Sequence, residues 1–145
     1  EGTMLAEYGV ARADGSTLSV VHAFGHGLRT VAGVHQGRAH AAVAPAVLTH
    51  LFARVDGRRH RLAAALGVDT TDRADAAVAG DVVAAVASVR DGLQLPARLR
   101  ELEGLAESDF DAVAEATVGD RLLDGAPAGY DLSVEAARSV LREAW

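Results

Sequence analysis

The histidines are the residues of this chain whose type and spacing point to chemistry. Four of the six fall between Val20 and Val47, in the run VVHAFGHGLRTVAGVHQGRAHAAVAPAV. Imidazole binds metals and moves protons near neutral pH. His22 and His26 stand four residues apart, so a helix presents both rings on one face. Their neighbours Val20, Val21, Ala23, Phe24 and Leu28 are apolar. That pattern predicts a mostly buried helix whose imidazoles point into an interior or a cleft, where each needs a polar partner. Gly33 then interrupts the pattern, and His35 follows two residues later. An unbroken helix would set His22 and His35 roughly 140° apart, at about 100° per residue. A turn at Gly33 lets His35 fold back toward His22. Such an arrangement suits a divalent metal held by one ligand within a helix and another at the mouth of the next. Zinc or ferrous iron takes three or four protein ligands, and the nearest carboxylates in sequence, Asp14 and Asp56, are not selected by their spacing. The same residues also fit core or helix-end histidines hydrogen-bonded to backbone carbonyls.

The elements that must position these rings read as helices throughout. Thr3–Tyr8 is a short helical piece, and Ala13–Thr17 is a turn with Ser16 or Thr17 as a cap. The first histidine helix is predicted over Leu18–Thr30, the re-aiming loop over Gly33–Gly37 and the second helix over Arg38–Ala53. Pro45 inside the second helix removes a backbone hydrogen bond and frees the Ala41 carbonyl. His40, near the start of that helix, is placed to face the pocket, while His50 reads as a surface or inter-helix histidine; neither is assigned to the metal. A short helix over Arg58–Leu66 ends at Gly67. Ala74–Arg90, with Val78, Val82, Val86 and Val89 at helical spacing, reads as the central helix of a bundle. Leu99, Leu102 and Leu105 mark a helical turn, and Ser108 caps a helix containing Phe110 and Val113. Gly119–Gly129 is a run of turns, and a last helix begins after Ser133, carrying Val134, Ala137, Leu141 and Trp145 on one side. The predicted fold is all-α, one domain over residues 1–145, a bundle-like arrangement of about six to eight helices.

Composition narrows the function classes. At 145 residues the chain is long enough to bury a core without disulfides. It has no cysteine, which removes thiolate catalysis and sulfur-ligated zinc or clusters. Net charge is -6, and all 14 basic residues are arginine. The one basic cluster, Arg58, Arg59, His60 and Arg61, reads as a solvated face, so no nucleic-acid partner is expected. No apolar run approaches a membrane span and no signal-like segment is visible. The expectation is a soluble, cytoplasmic protein with no membrane partner.

The run His22-Ala-Phe-Gly-His26-Gly-Leu28, followed by His35-Gln-Gly-Arg-Ala-His40 and Pro45, resembles the histidine signature of the iron-containing alcohol dehydrogenases, in their C-terminal helical domain. The chain departs from that signature in three places. It has Val34-His35-Gln36-Gly37 where a Pro-His-Gly or His-His-Gly turn is usual, the step from His26 to His35 is one residue short, and Ala46 follows the proline where a histidine is common. The resemblance implies that His22 and His35 bind a divalent metal, Fe2+ or Zn2+, and that His26 lies near the nicotinamide and substrate as part of a proton relay. It implies a hydride transfer between an alcohol or aldehyde and NAD or NADP, with the metal polarising the substrate oxygen, in an enzyme that forms a homo-oligomer. It also implies that the nucleotide-binding domain is N-terminal to this chain, which is then the C-terminal part of a longer enzyme and inactive when isolated. Glycerol-1-phosphate dehydrogenase and dehydroquinate synthase share the architecture and are the enzymatic alternatives, with Arg29 and Arg38 close enough to the histidines to meet a phosphate. A noncatalytic helical domain with structural histidines is the other.

Overall fold

Helix α1, Thr17–Ala32, is the element the others surround. Val20, Phe24 and Leu28 recur at i, i+4 and i+8, which stacks them in one apolar stripe. All three are fully buried. Small residues complete the other sides: Ala23, Gly25 and Gly27 are buried as well. A methyl group on Gly27 would lie 2.5 Å from Thr117 Oγ1 and 2.9 Å from the Val113 carbonyl oxygen. A methyl on Gly25 would overlap the ring of His40. These two glycines therefore serve close helix packing, which offsets the roughly 1 kcal/mol that glycine costs inside a helix.

The computed structural model describes residues 17–145. The helical piece expected at Thr3–Tyr8, the turn from Ala13 and the carboxylate of Asp14 lie outside the described residues. Among those described there are six α-helices and no strand. After α1 come α2 Gln36–Phe52, α3 Arg59–Ala65, α4 Asp75–Gly92, α5 Phe110–Val118 and α6 Val134–Ala144. Three short 3-10 turns, Leu99–Glu101, Glu107–Asp109 and Arg121–Gly125, join the later helices. The all-α expectation of six to eight helices holds, and the helix ends fall within a residue or two of those predicted.

Only Gly33, Val34 and His35 separate α1 from α2, so the two form an antiparallel hairpin. Gly33 makes the turn at φ +67°, and its N–H donates to the Arg29 carbonyl at 2.9 Å, closing α1. Helix α1 packs on α2, on α5 and on the Arg121–Gly125 turn, while α6 packs on α2 and α5. Phe24, Leu28, Leu51, Leu99 and Leu141 are the largest fully buried side chains of the core they share.

Two expectations about the packing are corrected. The long helix α4 lies on one side of the bundle against α2 and α3. Only its Val78 and Val82 are buried, and Val89 is 55% exposed. In a stretch of alanine and valine the apolar surface runs all round the helix, so spacing alone did not separate a central helix from a flanking one. The basic cluster is not wholly a solvated face either. Arg59 is buried, donating from Nη2 to the carbonyls of Phe52 (3.2 Å) and Val55 (2.9 Å) and from Nε to that of Asp56 (3.2 Å). Its guanidinium thus collects carbonyls left open where α2 ends. Ser108 lies inside the Glu107–Asp109 turn, and the reaching-back side chain is Asp109, whose Oδ2 accepts from Ala106 N–H at 2.9 Å. The last helix begins after Ser133 as expected, and Ser133 caps it, its hydroxyl accepting from Ala136 N–H at 3.1 Å.

Candidate functional site

The hairpin brings three of the histidines together. His22 and His26, on one face of α1, have ring centroids 6.0 Å apart. His40 reaches across from α2, its ring 4.5 Å from that of His22. Gly25 is what admits it, since the His40 ring rests where a side chain at that position would stand. Burial pushes the His40 pKa down to about 4, and the nearby His22 and His26 rings push the same way, against a hydrogen bond to the His22 backbone. His40 is therefore neutral at physiological pH, and its Nε2 is buried with no hydrogen-bond partner. His22 and His40 line one end of an open, largely apolar cavity walled by Leu18, Val21, Val86 and Leu93.

His35 stands elsewhere. It precedes α2 as its N-cap residue, is exposed, and lines a second cavity with Arg38, Glu101 and Glu103. His22 and His40 line one cavity and His35 another. It is His40 whose ring lies against His22. Among the described residues no group of three or more His, Asp or Glu side chains is placed to hold a metal ion.

His26 has a partner that the spacing of the sequence did not reveal. Asp120, just past the end of α5, accepts from His26 Nδ1 through Oδ2 at 2.9 Å. Its other oxygen, Oδ1, accepts from Leu122 N–H at 2.8 Å and caps the Arg121–Gly125 turn. The sequence showed Gly119-Asp120 only as a turn; the separation of 94 positions between the two partners left no local signal. His50 is buried at the interface of α2 and the loop before α6, sharing a hydrogen bond with the Tyr130 hydroxyl at 2.9 Å. Burial and then the Arg54 charge lower its pKa, and burial raises that of Tyr130 to about 12. This pair belongs to the core rather than to the His22 cavity.

A family model for the C-terminal part of the Fe-containing alcohol dehydrogenase family matches residues 2–145. The chain belongs to that family. Two solved structures show the same fold. A 1,3-propanediol oxidoreductase superposes with TM-score 0.76 at 23% identity, over 87% of this chain and 32% of its own. An alcohol dehydrogenase from Oenococcus oeni superposes with TM-score 0.78 at 22% identity, over 86% of this chain and 32% of its own. The chain thus spans about a third of the length of those chains. No curated protein matches it. Among the described residues no helix is long and apolar enough to cross a membrane.

Proposed function

We propose that this domain is the metal-holding, substrate-facing part of an NAD(P)-linked alcohol dehydrogenase. The reading is supported by one observation above the rest: within a chain matched by the family over residues 2–145, His22 and His26 share one face of the most enclosed helix. The chemistry of the donors fits a divalent ion in part. His22 presents an imidazole to the cavity beside the partnerless Nε2 of His40, but an ion needs three or four donors and the described residues do not gather them. The remaining donors come from elsewhere in the polypeptide. His22 and His35 are the ligands proposed here from the family resemblance, for Fe2+ or Zn2+, although they line separate cavities in this structure. When bound, the ion supplies Lewis acidity to the substrate oxygen, and the nicotinamide of NAD or NADP supplies the hydride acceptor or donor.

The residues of this chain do the rest. The apolar walls of the cavity at His22 take the carbon chain of an alcohol or aldehyde and exclude water. His26, one turn along α1 from His22, exchanges the hydroxyl proton with solvent. A phosphate-bearing substrate is disfavoured, because Arg38 shares its cavity with Glu101 and Glu103 and Arg29 is bonded to Gln36. The isolated domain is inactive, since the nucleotide is bound by the N-terminal domain, and the whole enzyme works as a homo-oligomer.

Elemental analysis of the full-length polypeptide tests the assignment. One divalent ion per chain is expected, lost in both His22→Ala and His35→Ala and kept in His26→Ala, whose turnover instead falls by about 10²- to 10⁴-fold to a level still measurable. Full metal content in either ligand variant overturns the ligand set.

A further inference from the structure

The His26–Asp120 contact has a shape that a surface ion pair lacks. An exposed pair holds each side chain by one bond and contributes little. Here the carboxylate is held at both oxygens, one by the imidazole and one by the backbone N–H of Leu122. The side chain of Asp120 is only 18% exposed, against 42% for His26. Its backbone is fixed as well, because Asp120 N–H donates to the Thr117 carbonyl at 3.2 Å. The carboxylate can neither rotate nor withdraw without breaking a cap.

The approach of the two residues is built into the packing. Gly27, next to His26, is where α1 meets Thr117 and Val113 of α5 without a side chain between them. Asp120 follows α5 by two residues. Close packing at Gly27 is thus what carries the carboxylate within reach of the ring one position earlier.

An ionised carboxylate only accepts hydrogen bonds, so the imidazole nitrogen facing it must carry the proton. In neutral His26 that nitrogen is Nδ1, and Nε2 is left with its lone pair. We propose that Asp120 is a positioning residue for His26, fixing the Nδ1–H tautomer and the ring plane so that Nε2 is always the proton-accepting nitrogen. A free imidazole divides its proton between the two nitrogens and turns about its side-chain bonds. Asp120 removes both freedoms at the ring that stands one turn along α1 from His22, with ring centroids 6.0 Å apart. This deepens the reading of His26 as a proton relay and rests on it for its kinetic consequence, though not for the contact itself.

Two measurements on the full-length polypeptide separate those layers. The first is the nitrogen chemical shifts of His26 in histidine-labelled protein at about pH 8.5, two units above the ordinary imidazole pKa. Wild type shows a protonated Nδ1 and an unprotonated Nε2. In Asp120→Asn one amide oxygen must serve both Leu122 N–H and His26, and the preference for Nδ1–H is lost. A wild-type ring protonated at Nε2, or an unchanged tautomer in Asp120→Asn, overturns the proposal whether or not the protein is an enzyme. The second is turnover. Asp120→Asn lowers kcat by about 10- to 100-fold with metal content intact and little change in KM. In a His26→Ala background the same substitution changes kcat by less than about twofold, since the residue acts only through the ring. A full loss in that background refutes the positioning role. A correct tautomer with no alcohol turnover in the wild type overturns the relay reading and leaves the contact standing.

Discussion

Replacing Gly25 by alanine asks whether the close approach of His40 to α1 is as tight as the structure shows. The new methyl would overlap Nε2 and Cδ2 of the His40 ring and lie 3.1 Å from Cε1; these are its three nearest neighbours. Overlap this complete falls in the upper part of the range for overpacking, about 2 to 3 kcal/mol. Alanine returns about 1 kcal/mol of helix propensity, so the net loss is about 1 to 2 kcal/mol in the wild-type background. With His40 already replaced by alanine, the obstacle is gone. The same Gly25→Ala change then retains only its propensity gain and stabilises by up to about 1 kcal/mol. The double-mutant cycle therefore carries a coupling of about 2 kcal/mol. Denaturant unfolding followed by the fluorescence of Trp145, the chain's single tryptophan, which stands edge-on to Phe110 at 5.4 Å, reads all four proteins. A Gly25→Ala protein as stable as wild type, or a penalty that persists undiminished beside His40→Ala, would refute the packing argument.

Metal-free protein loses stability in mild acid because of His40, whose folded-state pKa of about 4 lies below the ordinary 6.5. The unfolded chain takes up that proton first, so the contribution is complete above pH 6.5 and disappears as pH falls through about 4. The gap corresponds to roughly 3 kcal/mol at most, and partial access of water to the ring reduces it to about 1 to 2 kcal/mol. Urea midpoints between these pH values should fall less steeply in His40→Ala, and parallel curves would exclude His40 as the cause. Arg59→Ala strands the carbonyls of Phe52 and Val55 that the guanidinium holds and is expected to cost about 3 kcal/mol. Arg59→Lys recovers less than half of that, because an ammonium cannot span the same fork; a lysine variant with wild-type thermal stability contradicts the bonding described.

How much of this was legible in the sequence depends on the range of each interaction. Helix placement rests on local pattern, and it read correctly from the apolar stripe of Val20, Phe24 and Leu28, from Gly33 as the turn and from Ser133 as the residue after which the last helix begins. The family resemblance was carried by the spacing of His22 and His26, which one helix imposes and which survives whatever packs around it. What did not read were the partners that other elements bring. A turn at Gly33 suggested that His35 meets His22, yet it is the ring of His40, reaching across from α2, that stands 4.5 Å from that of His22, while His35 lines another cavity. The glycines at 25 and 27 look like weaknesses in a helix until α2 and α5 are seen against them.

The same distinction applies to the His26 ring. A helix can bring His22 and His26 to one face, but it cannot choose which nitrogen of either ring carries the proton. That choice needs an acceptor at a fixed distance from outside the helix. Asp120 meets the requirement because it is the cap of a turn, a role that already fixes its backbone and one of its oxygens. A residue chosen for structure alone would need only the bond to Leu122. The second bond, to His26 Nδ1, is the one that the fold has arranged across 94 residues by bringing α5 against Gly27.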